Sequence, residues 1–239
     1  MEWGTVLLLG LALLVGAFVQ SSIGFGMAVV AAPFLVVATP ELMPGALLVA
    51  SFGLPVVQLL HGARDIAWRP LGWALAARLA LTPVGVVIVA VLSVRAISVV
   101  VGVLILATVV ASVSTLDLRP TARNAAAAGA IAGVAGTAAS IGGPYLALVL
   151  QHERPERLRA TMAAFFLVGT AMAIVGLTAA GEFTREQLLS GLVWVPFTAL
   201  GYAAAAPARA RLDRERLRRV VLAFCVVAGA SVIVRALVS

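Results

Sequence analysis

Two stretches, Ser22-Ile23-Gly24-Phe25-Gly26 (SIGFG, 22–26) and Ser140-Ile141-Gly142-Gly143-Pro144 (SIGGP, 140–144), each interrupt a long apolar run. A helix in lipid pairs its own backbone N–H and C=O groups, so a break is tolerated only where protein or a water-filled cavity surrounds it. Glycine frees the backbone to turn and lets a ligand approach closely. Two breaks of similar sequence in two parts of one chain therefore predict a shared interior site, as in transporters built from two related halves. Close packing of small residues, as at Gly129-x-x-x-Gly133, is the other use such stretches have in membranes.

The composition supplies the setting. The 239 residues are 62% hydrophobic and 11% charged, with a mean hydropathy of +1.11. Soluble domains are roughly 45–50% apolar, so the sequence describes an all-α polytopic membrane protein. A spanning helix needs about 20 apolar residues. Runs of that order lie near 43–61, 70–92, 95–115, 160–180, 187–206 and 219–238. Two further runs, near 5–39 and 124–151, contain SIGFG and SIGGP. Each is read as a broken, re-entrant element of two short helical arms meeting at the glycines. Two short full crossings in 5–39, or an ordinary eight- or nine-helix bundle, remain as alternatives.

The net charge is +7, and all 17 basic residues are arginine. They fall between the apolar runs, which argues for membrane orientation and against a nucleic-acid partner. Cytoplasmic loops carry the arginine excess. By that rule the connections holding Arg64 and Arg69; Arg119 and Arg123; Arg154, Arg157 and Arg159; and the six arginines from Arg209 to Arg219 face inside. Those with Glu41, with Arg95, and with Glu182, Arg185 and Glu186 face outside. Satisfying every loop gives two halves, 1–116 and 117–239, each a broken element followed by three crossings, in opposite orientation. The expected fold is an inverted-topology repeat with about eight membrane segments and both termini external. The first residues lack the positive region of a signal peptide and are read as retained.

A helix that begins at a buried break directs unpaired N–H groups and a positive dipole end into the cavity, favouring an anion. Ser21, Ser22, Thr137 and Ser140 can add hydroxyl donors and Gln20 an amide donor, around Gly24, Gly26, Gly142, Gly143 and Pro144. Pro144 suits the first turn of the following helix. Arg78 lies well inside the 70–92 run, either as a counter-charge for an anion or snorkelling to the interface. His61 and Gln58 share a helix face by spacing. The expected site is thus substrate-binding, with no catalytic residues, no metal and no cofactor. The single Cys225 excludes an intramolecular disulfide and a thiolate metal cage. No acidic residue lies deep in a span and no phosphate-loop motif occurs, so neither a carboxylate proton relay nor that route of ATP hydrolysis is indicated.

Residues 16–35, GAFVQSSIGFGMAVVAAPFL, and 140–169, SIGGPYLALVLQHERPERLRATMAAFFLVG, resemble the two repeat signatures of the sulfite exporter TauE/SafE family of bacterial membrane permeases. The motifs carry over onto Gly24, Gly26 and Pro33, then onto Gly142, Gly143, Pro144 and Arg159-Ala160-Thr161. Ser22 and Ser140 stand where the family pattern has glycine. The resemblance implies secondary export of a small anion such as sulfite or an organosulfonate from a bacterial cytoplasmic (inner) membrane. The implied partners are that anion and the lipid bilayer, with the oligomeric state, a homo-oligomer included, left open. An intramembrane enzyme acting on an anionic lipid-linked substrate, or a membrane scaffold without transport, are the alternatives.

Overall fold

The computed structural model describes residues 2–61, 65–114, 117–208 and 212–238, without the side chains of His61 and Arg214. Arg64, Arg209, Arg211, the half boundary at 116 and the His61 face expected from sequence lie outside the described residues. Among those described, every regular element is helical: α1 (Trp3–Ile23), α2 (Met27–Ala38), a short 3-10 turn (Pro40–Leu42), α3 (Gly45–His61), α4 (Trp68–Val91), α5 (Val94–Val113), α6 (Ala122–Ala138), α7 (Gly143–Val149), α8 (Pro155–Ala179), α9 (Arg185–Ala208) and α10 (Arg214–Val238). Six of them, α1, α4, α5, α8, α9 and α10, are long and apolar enough to cross a membrane. This is a multi-pass membrane protein.

The breaks fall at the two glycine stretches, but their arms are unequal. α1 has 21 residues and α2 has 12. α6 has 17 and α7 only 7. The expectation of two short arms is corrected for α1, which at 1.5 Å per residue extends roughly 31 Å, a full crossing length. α3, expected from 43, starts at Gly45 and has 17 residues. The preceding residues are taken up by the Pro40–Leu42 turn and by Pro44, whose carbonyl accepts from Leu48 N at 3.1 Å.

Contacts along the helices fix their relative directions. α1 runs alongside α9 in the same sense: Trp194 Nε1–H donates to Val6 O at 3.3 Å, and Phe197 and Gly201 meet Gly10 and Leu14 in turn. α6 runs with α4 in the same way, Gly129 against Ala74, Gly133 against Arg78 and Leu81, and Thr137 against Gly85. A Cβ on Gly129 would overlap the Ala74 backbone, so the small residues of α6 do serve close packing there. α3 follows α9 and α8 follows α4, as Gly45 to Gln187 and Gly53 to Val195, and Gly169 to Arg78 and Gly176 to Val86, record. α5 and α10 are antiparallel, with Arg95 at Ala236 O and Leu237 O and Arg218 at Ser112 O. Exchanging the first five helices for the last five therefore maps the pair α1–α9 onto α6–α4 and α3–α9 onto α8–α4.

The arginine-bearing connections gather at one end. Arg154 pairs with Asp65 at 2.9 Å, Arg157 with Glu153 at 3.5 Å, and His152 with Asp117 at 3.1 Å. At the opposite end Gln187 Nε2 donates to Glu41 O at 3.2 Å. Exposed Leu7, Leu11, Val87, Val110, Leu192 and Val227 give the sides an apolar surface suited to lipid.

Candidate anion site between the two helix breaks

α1 ends where Gly24 takes a left-handed conformation, φ 98°, and Gly26, φ 121°, turns the chain into α2. These are backbone angles that side-chain-bearing residues rarely adopt. The first N–H of α2 is not left open. Met27 N donates to Gln20 Oε1 at 3.2 Å. Gln20, expected as an amide donor, thus spends its carbonyl on capping α2 and keeps its Nε2 as the donor. At the second break Ser140 carries a positive φ of 61°, and its Oγ lies 3.4 Å from Pro44 O. Pro144 is the second residue of α7.

The two breaks meet across one cavity. Its wall is made by Gln20 of α1, Gly26 to Val29, Leu48 and Ser51 of α3, Arg78 of α4, Gly136 of α6, Ser140 to Pro144, and Phe166 and Thr170 of α8. The cavity offers about 30 Å³ to the centres of water-sized molecules, room for about two waters. Of the residues named from sequence, it brings together Gln20, Gly26, Arg78, Ser140, Gly142, Gly143 and Pro144.

Four others are placed elsewhere. Ser22 Oγ donates to Phe18 O at 2.8 Å within α1, and Ser22 lines a different pocket. Gly24 faces Leu158 of α8. Thr137 lies against Gly85 of α4. Ser21 is fully buried and does not line the cavity. Neither Ser21 Oγ nor Thr137 Oγ1 has a hydrogen-bond partner among protein groups.

Arg78 dominates the electrostatics. It is 2% exposed, so its side chain is enclosed and does not snorkel to an interface. Its Cζ lies 4.7 Å from the centroid of the Phe165 ring, a cation–π contact. Gly136 and Gly169 make space for it. A Cβ on Gly136 would sit 3.0 Å from Nη2, and one on Gly169 would overlap the guanidinium. Its Nε and Nη1 find no hydrogen-bond acceptor in the protein. Burying a charge in this way is costly unless it is paired. Among the described residues no carboxylate lines the cavity, and an anion with oxygen acceptors is the kind of group that could pair with Arg78.

Sequence reading missed Ser51, the one hydroxyl of the 43–61 run, and Thr170, one of three threonines in the 160–180 run. A further repeat could have drawn attention to α4 and α9: Arg78-x-x-x-Thr82-x-x-Gly85 returns as Trp194-x-x-x-Thr198-x-x-Gly201.

A second pocket opens at the arginine-bearing end, with about 300 Å³ on the same measure as the cavity. Ser22, Phe25, Ser112, Gln151, Glu153, Arg159 and Arg218 are among its lining residues, and Pro144 lines both spaces. The arrangement is a small chamber holding Arg78 at the helix breaks and, sharing Pro144 with it, a larger pocket bearing Glu153, Arg159, Glu215 and Arg218.

A family model described as Sulfite exporter TauE/SafE matches residues 8–232, nearly the whole chain. No curated protein and no solved structure matches. The chain belongs to the sulfite exporter TauE/SafE family, a family of membrane transporters, not of enzymes.

Proposed function

We propose that this member of the TauE/SafE family is a secondary transporter that binds a small anion, a sulfur oxyanion such as sulfite or an organosulfonate, between its two helix breaks and exports it by alternating access. The observation that carries this reading is Arg78: buried, without a protein acceptor for Nε and Nη1, and lining a cavity to which both breaks contribute. Gln20 Nε2 and the Thr170 hydroxyl are neutral donors for the remaining oxygens, and Ser140 and Ser51, whose hydroxyls donate to Pro44 O and Leu48 O, join them only by turning away from those carbonyls. The glycines let the walls of the cavity close-pack: a Cβ on Gly142 or Gly143 would meet Ala132 or Phe166. Of the residues expected from sequence, Ser21, Ser22, Gly24 and Thr137 act around the site and do not line it.

In this reading 1–116 and 117–239 are inverted halves and the chain makes about eight membrane segments. The exchange relation between helix pairs supports it, as does the return of each broken element to the end from which it started. The arginine-bearing end, with the larger pocket, is cytoplasmic, and both termini are external in a bacterial inner membrane. An anion then enters the larger pocket from inside and leaves at the opposite end. Moving one negative charge out of an inside-negative cell gains about 2.3 kcal/mol per 100 mV, which suffices as a driving force without a carboxylate relay. A scaffold would have no use for an enclosed, unpaired guanidinium beside a cavity.

The test is efflux of labelled sulfite from liposomes containing the purified protein, with an outward gradient and a potential negative inside. The reading predicts saturable, protein-dependent efflux that rises with the potential and is lost in Arg78→Met. Efflux equal to that of empty liposomes refutes sulfite transport. Net loss of total internal sulfite, as distinct from exchange of label, with the potential and all gradients collapsed refutes the driving force.

A further inference from the structure

We infer that Arg78 makes this protein exchange anions across the membrane faster than it exports them, so that an anion bound from the far side speeds release of one from the near side. This rests on the anion-carrier reading above and adds to it which half of the transport cycle is slow.

Among the described residues, Arg78 is the only one with a formal charge in the cavity wall. The acidic residues of the chain, such as Glu41, Asp65, Asp117, Glu153, Glu182 and Asp213, all lie at helix ends or in connections, so none can neutralise it from within a span. Its one compensating contact is the face of Phe165. The related position of α9 is neutral. There Trp194 is fully buried and its single donor is satisfied by Val6 O. Where Gly169 faces the Arg78 guanidinium on one side of the relation, Gly53 faces Val195 on the other. The site therefore holds one positive charge, and one monovalent anion balances it.

An alternating-access carrier must pass through a form closed to both sides. Closing over a guanidinium alone strips water from an unpaired charge, whereas closing over a guanidinium–oxyanion pair encloses a neutral, hydrogen-bonded unit. The barrier to reorientation is lower with an anion bound than without one. A tenfold difference in rate requires only about 1.4 kcal/mol between the two barriers. Net export needs one slow, anion-free reorientation per cycle; exchange replaces it with a second fast one.

The experiment uses liposomes containing the full chain and loaded with labelled sulfite, the potential held at zero with valinomycin and equal potassium on both sides. Efflux is compared with external sulfite and with external gluconate. The expected result is at least tenfold faster efflux with sulfite outside. Equal rates in the two arms overturn the inference and leave the carrier reading standing. No protein-dependent efflux in either arm removes the carrier reading for sulfite and the inference with it. Arg78→Met is expected to show no protein-dependent efflux in either arm; efflux in that variant with the ratio kept at the wild-type value shows that Arg78 is not its cause. Phe165→Leu keeps the charge and removes the ring, and the ratio rises; a fall would contradict the assignment.

Discussion

Gly169 on α8 faces the guanidinium of Arg78 on α4 so closely that a Cβ on the glycine would overlap Cζ, Nε and Nη1. The fit explains how a long cation is held in the core of an apolar bundle: two glycines, Gly136 and Gly169, remove the side chains that would displace it. Gly169→Ala must therefore move Arg78. Overpacking of this kind costs about 1–3 kcal/mol. Thermal unfolding of the detergent-purified variant is expected to shift down, and sulfite is expected no longer to shift it. A Gly169→Ala protein with wild-type stability and wild-type response to sulfite would mean that the guanidinium is not seated there.

Gln20 separates two roles in one side chain. Its Oε1 caps α2 through Met27 N, while its Nε2 is left for the cavity. Gln20→Leu loses the cap, and cap losses cost about 0.5–2 kcal/mol. Gln20→Glu keeps an acceptor for Met27 N but sets a carboxylate beside Arg78, where it replaces the anion. The expected outcome is a Gln20→Glu protein that unfolds no earlier than the wild type and is indifferent to sulfite. Retained sulfite response would remove Gln20 from the site.

Gly143 stands where the second break closes on the first. A Cβ there would overlap the Phe166 ring and approach Phe25 Cβ at 3.4 Å. Gly143→Leu is predicted to abolish sulfite efflux from liposomes while leaving the helical circular dichroism spectrum intact. Normal efflux in that variant would return the glycine pair to a packing role.

How much of this was readable beforehand differs between backbone and side chains. SIGFG and SIGGP marked the breaks because a turn inside an apolar run has few explanations in lipid. The unequal arms were missed because both sides of the glycines were read as short, although the stretch before Gly24 is by itself long enough for a crossing. Depth in the span identified Arg78, since the rise of a helix is known before its rotation is. Rotation is what the sequence lacks. Ser22 was expected at the site and instead bonds Phe18 O, and Gly24 turns to Leu158, because neighbours in sequence point to different sides of a helix end. Ser51 and Thr170 reach the cavity only through the packing of α3 against α8, which no local pattern encodes. The Arg78/Trp194 relation was open to inspection as a repeat, yet its asymmetry acquires meaning only once both residues are seen to be buried.

Orientation can be tested without a substrate. In a Cys225→Ala background, Glu186→Cys and His152→Cys place one exposed thiol at each end of the bundle. A membrane-impermeant maleimide applied to intact cells is expected to label Glu186→Cys at once, and His152→Cys only after permeabilisation. The reverse pattern would invert the proposed topology, and labelling of both in intact cells would contradict it.

The most direct test of the central claim is thermal unfolding of the purified protein against sulfite, sulfate, sulfoacetate, taurine, phosphate and chloride, repeated on Arg78→Met. A ligand that binds only the folded protein stabilises it by about 2.7 kcal/mol at a hundred times its dissociation constant. The account predicts a saturable upward shift with a sulfur oxyanion that Arg78→Met abolishes. No shift with any anion in a well-folded sample, or a shift that Arg78→Met retains in full, would contradict it.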